Sequence, residues 1–232
     1  MDIVSMKDDL SQYKIVAAPM LYLLQPKAAE NLKSYVEGGG CLIATYLTGY
    51  VDEHTLCYLG GFPGDGLKDL FGVYSEEIDT LYPSDKNEVR FTDGTVSEVR
   101  DFADILKVTG EDVKVAASYT KDFYAGTPAI TCRKSGAGKA WYVGARITQE
   151  GMEKIYAACM KETGIEAKEL PDGIEYRVRT DGRNCYEFYL NGTEEEVTLK
   201  NLSGRDLLTG MTVENEWKLA PYGAAVLAKT EG

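Results

Sequence analysis

The chain has 232 residues, 44% of them hydrophobic, with 37 acidic against 25 basic residues and a net charge of -12. That length and apolar content suit one large domain or two modest ones with a real core. The acidic balance argues against nucleic acid and anionic membranes as partners, because both need clustered Lys and Arg, and no apolar run approaches the roughly 20 residues that span a bilayer.

Asp2 to Met6, DIVSM, reads as a strand, and Lys7, Asp8 and Asp9 follow it in a pattern unlike a secretory signal. A second strand, Lys14 to Ala18, comes almost at once. Its Ile, Val and Ala are the composition of a buried parallel strand. Pro19 ends it, having no N–H for a ladder. A doubly wound domain normally begins with a strand and a helix before such a point, so the chain is expected to start inside the domain, after its first βα unit. From Pro26 the period changes: Ala29, Leu32, Tyr35 and Val36 make one apolar helix face. Gly38, Gly39 and Gly40 stop the helix. Cys41 to Tyr46 returns as a buried strand, which completes a βαβ unit.

The stretch Leu47 to Gly61 leaves the carboxyl end of that strand, where open α/β sheets usually bind ligands. The glycines and proline of TGYVDEHTLCYLGGFPGDG, which runs on to Gly66, make it irregular, and an ordered loop of this length is usually functional or interfacial. It carries the only histidine, His54, beside Asp52 and Glu53. A metal site wants three or four convergent ligands. One His and two neighbouring carboxylates fall short of that, so no metal and no cofactor is expected.

Gly66 to Phe71 is a short helix closed by Gly72. Short strands follow at Val73 to Tyr82, Glu88 to Phe91, Thr95 to Val99, Ala103 to Val108 and Val113 to Tyr119. They form a β-rich insert that interrupts the βα alternation. Ala129 to Arg133 and Lys139 to Gly144 read as a hairpin. Thr148 to Gly164 is a helix with Thr148 as N-cap and with Ile155 and Cys159 or Met160 in its apolar stripe. Residues 165–172, polar and with a proline, are the expected linker between a first domain over 1–164 and a second over 173–232. The second domain holds short alternating strands at Gly173 to Arg179, Asn184 to Leu190, Glu195 to Leu199 and Tyr222 to Ala228. In one of them Tyr186, Phe188 and Leu190 alternate with Glu187 and Tyr189, as in a half-buried strand. An antiparallel β-sandwich or barrel is expected there.

Of five cysteines (Cys41, Cys57, Cys132, Cys159 and Cys185) no two form a CxxC, so structural zinc is not expected and a reducing cytoplasm is the natural setting. The tripeptides at Asn191 and Asn201 match the glycosylation pattern, and coincidence is the expected reading. A cysteine-dependent enzyme needs a nucleophile at a sharp strand-to-helix turn with a His beside it. Cys41 instead begins a strand, and Cys57 has no glycine-flanked elbow. Sixteen tyrosines and two tryptophans offer faces for sugar stacking, but Tyr142, Tyr176, Tyr186 and Trp141 sit in strands and read as packing. Adjacent glutamates, Glu76 with Glu77 and Glu194 to Glu196, read as a solvated surface.

The order YKIVAAPMLYLL, helix, YVEGGG, strand and TGYVDEHTLCYLGGFPG resembles the middle domain of family 42 glycoside hydrolases, the bacterial β-galactosidases. DFYAGTPAITCRKSGAGKAWYVG, GIEYRVRTDG, YEFYLNGTEEEVTL, DLLTG and PYGAAVL continue the resemblance over nearly the whole chain. It implies a flavodoxin- or amidotransferase-like α/β open sheet that builds a trimer, then a small β-domain, both following a catalytic (β/α)8 barrel of which no residue is present here. Retaining glycosidases need two carboxylates about 5 Å apart, and in this family both lie on that barrel, so no catalytic residue is expected in this chain. The implied partners are other copies of the chain and the barrel, with galactosides reached through the barrel. The resemblance also implies that the loop with Thr48, Gly49, Asp52, Glu53 and His54 helps form the subunit interface and the surroundings of the sugar pocket. The alternatives are a stand-alone carbohydrate-binding module or an amidotransferase-like module.

Overall fold

The computed structural model describes residues 2–230. Its contacts divide it into two compact units, Met1–Glu166 and Ala167–Gly232. The first five described residues form no strand. The Ser5 N–H bonds the Asp8 carboxylate at 2.7 Å, which closes a turn, and Ile3 is 98% exposed. A strand needs a partner edge, and none lies along this segment.

The first unit begins with β1 (Ile15–Ala18), α1 (Ala28–Glu37) and β2 (Cys41–Thr45). β1 and β2 pair in parallel, Ile15 opposite Cys41. α1 starts two residues later than Pro26, because Lys27 takes a left-handed conformation at φ 68°. It buries Ala28, Ala29, Leu32, Tyr35 and Val36, the spacing of one helix face. β2 is buried at every residue. α2 (Leu67–Phe71) is capped by Gly72 at φ 66°, a backbone angle that costs glycine little.

β3 (Val73–Thr80), β4 (Asn87–Phe91), β5 (Val96–Val108), β6 (Lys114–Tyr119), β7 (Pro128–Ser135), β8 (Gly138–Val143), β9 (Ala145–Ile147) and α3 (Gln149–Thr163) complete the unit. β5 is one strand where the sequence suggests two. Asp101, at φ 60°, sits where its pairing with β9 slips between Val99 and Ala103, so the chain bends without leaving the sheet. β8 pairs in parallel with β2. All the other pairings in this nine-stranded sheet are antiparallel. The sheet is therefore mixed, and its parallel part is β1, β2 and β8.

The insert does more than extend this sheet. β4 pairs with β5, β5 with β9, β8 with β7, β7 with β6, and β6 with β4. Gly144 joins β8 to β9, so the pairings return on themselves around Val89, Val99, Ala103, Tyr119, Ile130 and Val143. A second core, with Leu24, Val36, Leu42, Leu70, Phe71 and Tyr142, lies on the opposite face with α1 and α2. Thr148 caps α3 as expected, its Oγ1 accepting the Gly151 N–H at 3.3 Å, and Gly164 ends it at φ 62°.

The second unit holds β10 (Ile174–Thr180), β11 (Asn184–Asn191), β12 (Val197–Asp206), β13 (Thr212–Leu219) and β14 (Ala224–Thr230). They form one antiparallel sheet in the order β10-β11-β14-β12-β13, not the two facing sheets of a sandwich. Its core draws on four of the five strands: Tyr189 of β11 and Leu227 of β14 cluster with Leu199 of β12 and with Val213 and Leu219 of β13. A slip at Asn201, with φ 57°, breaks the β12–β13 register and lets the hairpin bend.

The face of β11 is the reverse of the one its apolar pattern suggests. Glu187, Tyr189 and Asn191 are buried, whereas Leu190 is exposed. Partners explain this. Glu187 accepts hydrogen bonds from Tyr176, Tyr189 and Lys229, each at 2.8 Å, and pairs with Lys168 at 3.4 Å. The Lys168 ammonium also lies over the rings of Tyr176 and Tyr189. Asn191 Nδ2 donates to the carbonyls of Glu195 at 2.8 Å and Ala220 at 2.9 Å, and its Oδ1 accepts from Thr193. With the amide buried and fully engaged, the glycosylation pattern at Asn191 is a coincidence of sequence.

Candidate interface loop

Residues 46–66 connect β2 to α2. Their backbone is stitched to the segment after β1: Gly49 N–H donates to Leu21 C=O at 2.8 Å, Tyr50 N–H to Tyr22 C=O at 3.0 Å, and Leu24 N–H to Val51 C=O at 3.0 Å. Within the loop, Gly64 N–H donates to Gly49 C=O at 2.8 Å. The rings of Tyr22 and Tyr50 stack at 5.3 Å, and Phe62 meets Tyr50 edge-on at 5.0 Å. The loop is thus an ordered structure built on paired backbone and aromatic contacts.

The five loop residues singled out from the sequence divide into two groups. Thr48 and Gly49 are structural. Thr48 is fully buried, and its hydroxyl donates to Thr45 C=O at 2.6 Å. Gly49 has φ 65°, and a Cβ there would lie 2.9 Å from Gly64 N, so only glycine fits. Asp52, Glu53 and His54 form an outward turn. Asp52 Oδ1 accepts the N–H groups of His54 and Leu56, both at 2.9 Å. His54 Nε2 lies 3.7 Å from Glu53 Oε1, and the imidazole is 73% exposed. No cluster of His, Cys, Asp and Glu able to hold a metal ion occurs among the described residues, and no hydrogen bond there joins His54 to a cysteine. All five cysteines are free thiols.

The outer surface of the loop is apolar in a way its sequence did not single out. Leu56 and Leu59 are exposed, as are Met20 and Tyr22 on the segment stitched to the loop. Cys57 is exposed too. Exposed apolar side chains concentrated on one loop are the usual mark of a contact surface. Two surface depressions of about 540 and 380 Å³ lie elsewhere, and neither is lined by a residue of 46–66.

Beneath the loop head sits Asp104, another residue that no motif singles out. It is fully buried on β5. Its Oδ2 accepts the Tyr142 hydroxyl at 2.8 Å and the Leu47 N–H at 3.1 Å. Burial pushes its carboxyl up to about 7, against the opposing pull of those two donors. The adjacent glutamates stay at the surface as expected: Glu76 pairs with Lys107 and Glu196 with Lys218, both at 3.0 Å.

A mixed α/β unit followed by an antiparallel β unit is the architecture of two consecutive sequence patterns. That of the β-galactosidase trimerisation domain matches residues 1–166, and that of the β-galactosidase C-terminal domain matches residues 173–229. The chain belongs to the family 42 glycoside hydrolases and corresponds to their non-barrel part. It is 38% identical to β-galactosidase Pbg of Clostridium perfringens over 98% of its own length and 34% of that protein's. It is 37% identical to β-galactosidase GalA of Bacillus licheniformis over 99% of its length and 34% of that protein's. The crystal structure of β-galactosidase from Bacillus circulans sp. alkalophilus superposes with a TM-score of 0.92 at 32% identity, covering 99% of this chain and 35% of the other. The chain therefore spans about a third of the length of the relatives it matches.

Proposed function

We propose that this chain is the oligomerisation and scaffold portion of a β-galactosidase, which assembles subunits into a trimer and walls the active sites of the barrel. The observation that carries this reading is the match of the trimerisation-domain pattern across the whole first unit. The apolar outer surface of loop 46–66 supports it, with Leu56, Leu59, Met20 and Tyr22 as contact residues and Asp52, Glu53 and His54 on the polar rim. The parallel strands β1, β2 and β8 with α1 form the amidotransferase-like part of the fold, and the loop leaves their carboxyl end. Residues 165–172 serve as the connector to the second unit. Galactoside binding and hydrolysis belong to the barrel, and the free thiols fit a cytoplasmic setting.

Two measurements on the purified chain test this. Light scattering over a range of concentrations should show three copies associating by a heterologous, ring-closing contact. A monomer at the highest concentration would refute assembly through this unit. On nitrophenyl galactoside no saturable rate should appear. A saturable rate that survives purification to homogeneity would overturn the non-catalytic assignment.

A further inference from the structure

The head of loop 46–66 is tied to one buried carboxyl. Asp104 Oδ2 holds the Leu47 N–H and the Tyr142 hydroxyl. Asp104 Oδ1, also buried, reaches no hydrogen-bond partner. The remaining polar atoms of this residue are locked into the sheet. Its N–H donates to Gly144 C=O at 2.6 Å, and its carbonyl accepts the Tyr119 hydroxyl at 3.0 Å. Of the groups bonded to Asp104, Leu47 and Gly144 are outside a strand; Gly144 is held between β8 and β9 by its own N–H bond to Ala129 C=O at 2.8 Å, whereas Leu47 opens the loop in a left-handed conformation at φ 60°.

The groups that face the carboxyl carry no compensating charge. From β8 comes Tyr142 and from β6 Tyr119, both phenols pushed well above their ordinary range by burial. Tyr46, at the end of β2, is shifted the same way by burial. On β9, Arg146 is engaged with Asp101 at the surface, and on β3, which pairs with Asp104 through Ile78, Asp79 accepts the Tyr124 hydroxyl at 2.6 Å. α2 contributes the uncharged ring of Phe71 against Tyr142. No cationic side chain bonds Asp104 among the described residues. An ionised Asp104 would therefore be a buried charge with one oxygen unsolvated, a state that draws in water or moves its cover.

We propose that Asp104 is a proton-operated latch on this loop: ionised, it draws water to Oδ1 and tightens its hold on the Leu47 N–H, and neutral, it slackens that hold and lets the loop head at Leu47 and Thr48 shift. The upward push of burial places this change close to neutral pH. Proton binding replaces no bond in the sheet. Because a carboxylate shares its charge between both oxygens, ionisation also strengthens the Leu47 N–H and Tyr142 hydroxyl bonds to Oδ2, and of those two donors only Leu47 belongs to the loop.

The test uses ¹⁵N- and ¹³C-labelled full chain carrying His54→Gln, so that the loop holds no imidazole. The Asp104 side-chain carbon and the Leu47 and Thr48 amides are followed from pH 5 to 9. The latch requires the carboxyl and both amides to titrate together with a midpoint near 7. It also requires the amide change to vanish in Asp104→Asn. A carboxyl midpoint below 5 overturns the proposal. So does a carboxyl that titrates near 7 while the two amides stay still, and so does an amide titration that persists in Asp104→Asn. If Asp104→Asn does not fold, the comparison of carboxyl and amide midpoints in the His54→Gln protein still decides.

Discussion

Replacing Glu187 by Gln removes one charge from the most densely bonded carboxylate of the second unit. Burial raises the pKa of this group, but Lys229, Tyr189, Tyr176 and Lys168 outweigh it and hold the carboxyl down at about 2, against an ordinary 4.5. Holding the carboxyl at about 2 rather than 4.5 sets an upper limit of about 3 kcal/mol of folding free energy at pH 7, which solvent screening reduces to about 1–2 kcal/mol. Because the folded value is the lower one, that stability is fully present above pH 4.5 and is lost as the pH falls toward about 2. Gln keeps the shape and can still accept from a tyrosine hydroxyl, but it leaves Lys168 and Lys229 unpaired. The two tryptophans separate the units, since Trp141 lies in the first and Trp217 in the second. In a Trp141→Phe background, Trp217 fluorescence reports the second unit alone during urea unfolding. Glu187→Gln should lower the stability of that transition by about 1–2 kcal/mol at pH 7 and by progressively less below pH 4.5. A loss that is the same at pH 7 and pH 3, or one below about 0.5 kcal/mol, the scale of an ordinary surface change, would refute the reasoning.

The first unit offers three further tests, read by Trp141 fluorescence in a Trp217→Phe background. Gly49→Ala should destabilise it by about 1–3 kcal/mol, because a side chain at φ 65° is strained and its Cβ meets Gly64 N at 2.9 Å. An unchanged melting temperature would show that the loop head can relax. Thr148→Ala should cost about 1 kcal/mol through loss of the α3 N-cap, and Thr148→Ser should recover most of it. Asp104→Asn should remove the pH dependence that a raised carboxyl imposes. In the unmodified chain the contribution of Asp104 is fully present below 3.8 and falls as the pH rises toward about 7. The variant should therefore gain on the parent above neutral pH, as measured by urea midpoints at pH 5 and 8.

Local chemistry alone determined much of this protein. The βαβ start, α3 with its Thr148 cap and Gly164 stop, and the hairpin of β7 and β8 are written in period and punctuation, because each is stabilised mainly by residues close in sequence. The length and irregularity of the loop after β2 were equally visible. Tertiary structure decided the rest. β5 reads as two strands until the pairings of Val99 and Ala103 with β9 show one bent strand. The closure of β4, β5, β9, β8, β7 and β6 into a circuit depends on partners far apart in the chain. The inward face of β11 defied its apolar pattern, since a glutamate can be buried once two lysines and two tyrosines converge on it, and only the fold brings those four together. The loop's polar residues stood out in the sequence, whereas its anchor did not. Asp104 is one aspartate among many until β5, β8 and the end of β2 enclose it, because burial, which no sequence period encodes for a lone residue, is what changes its chemistry.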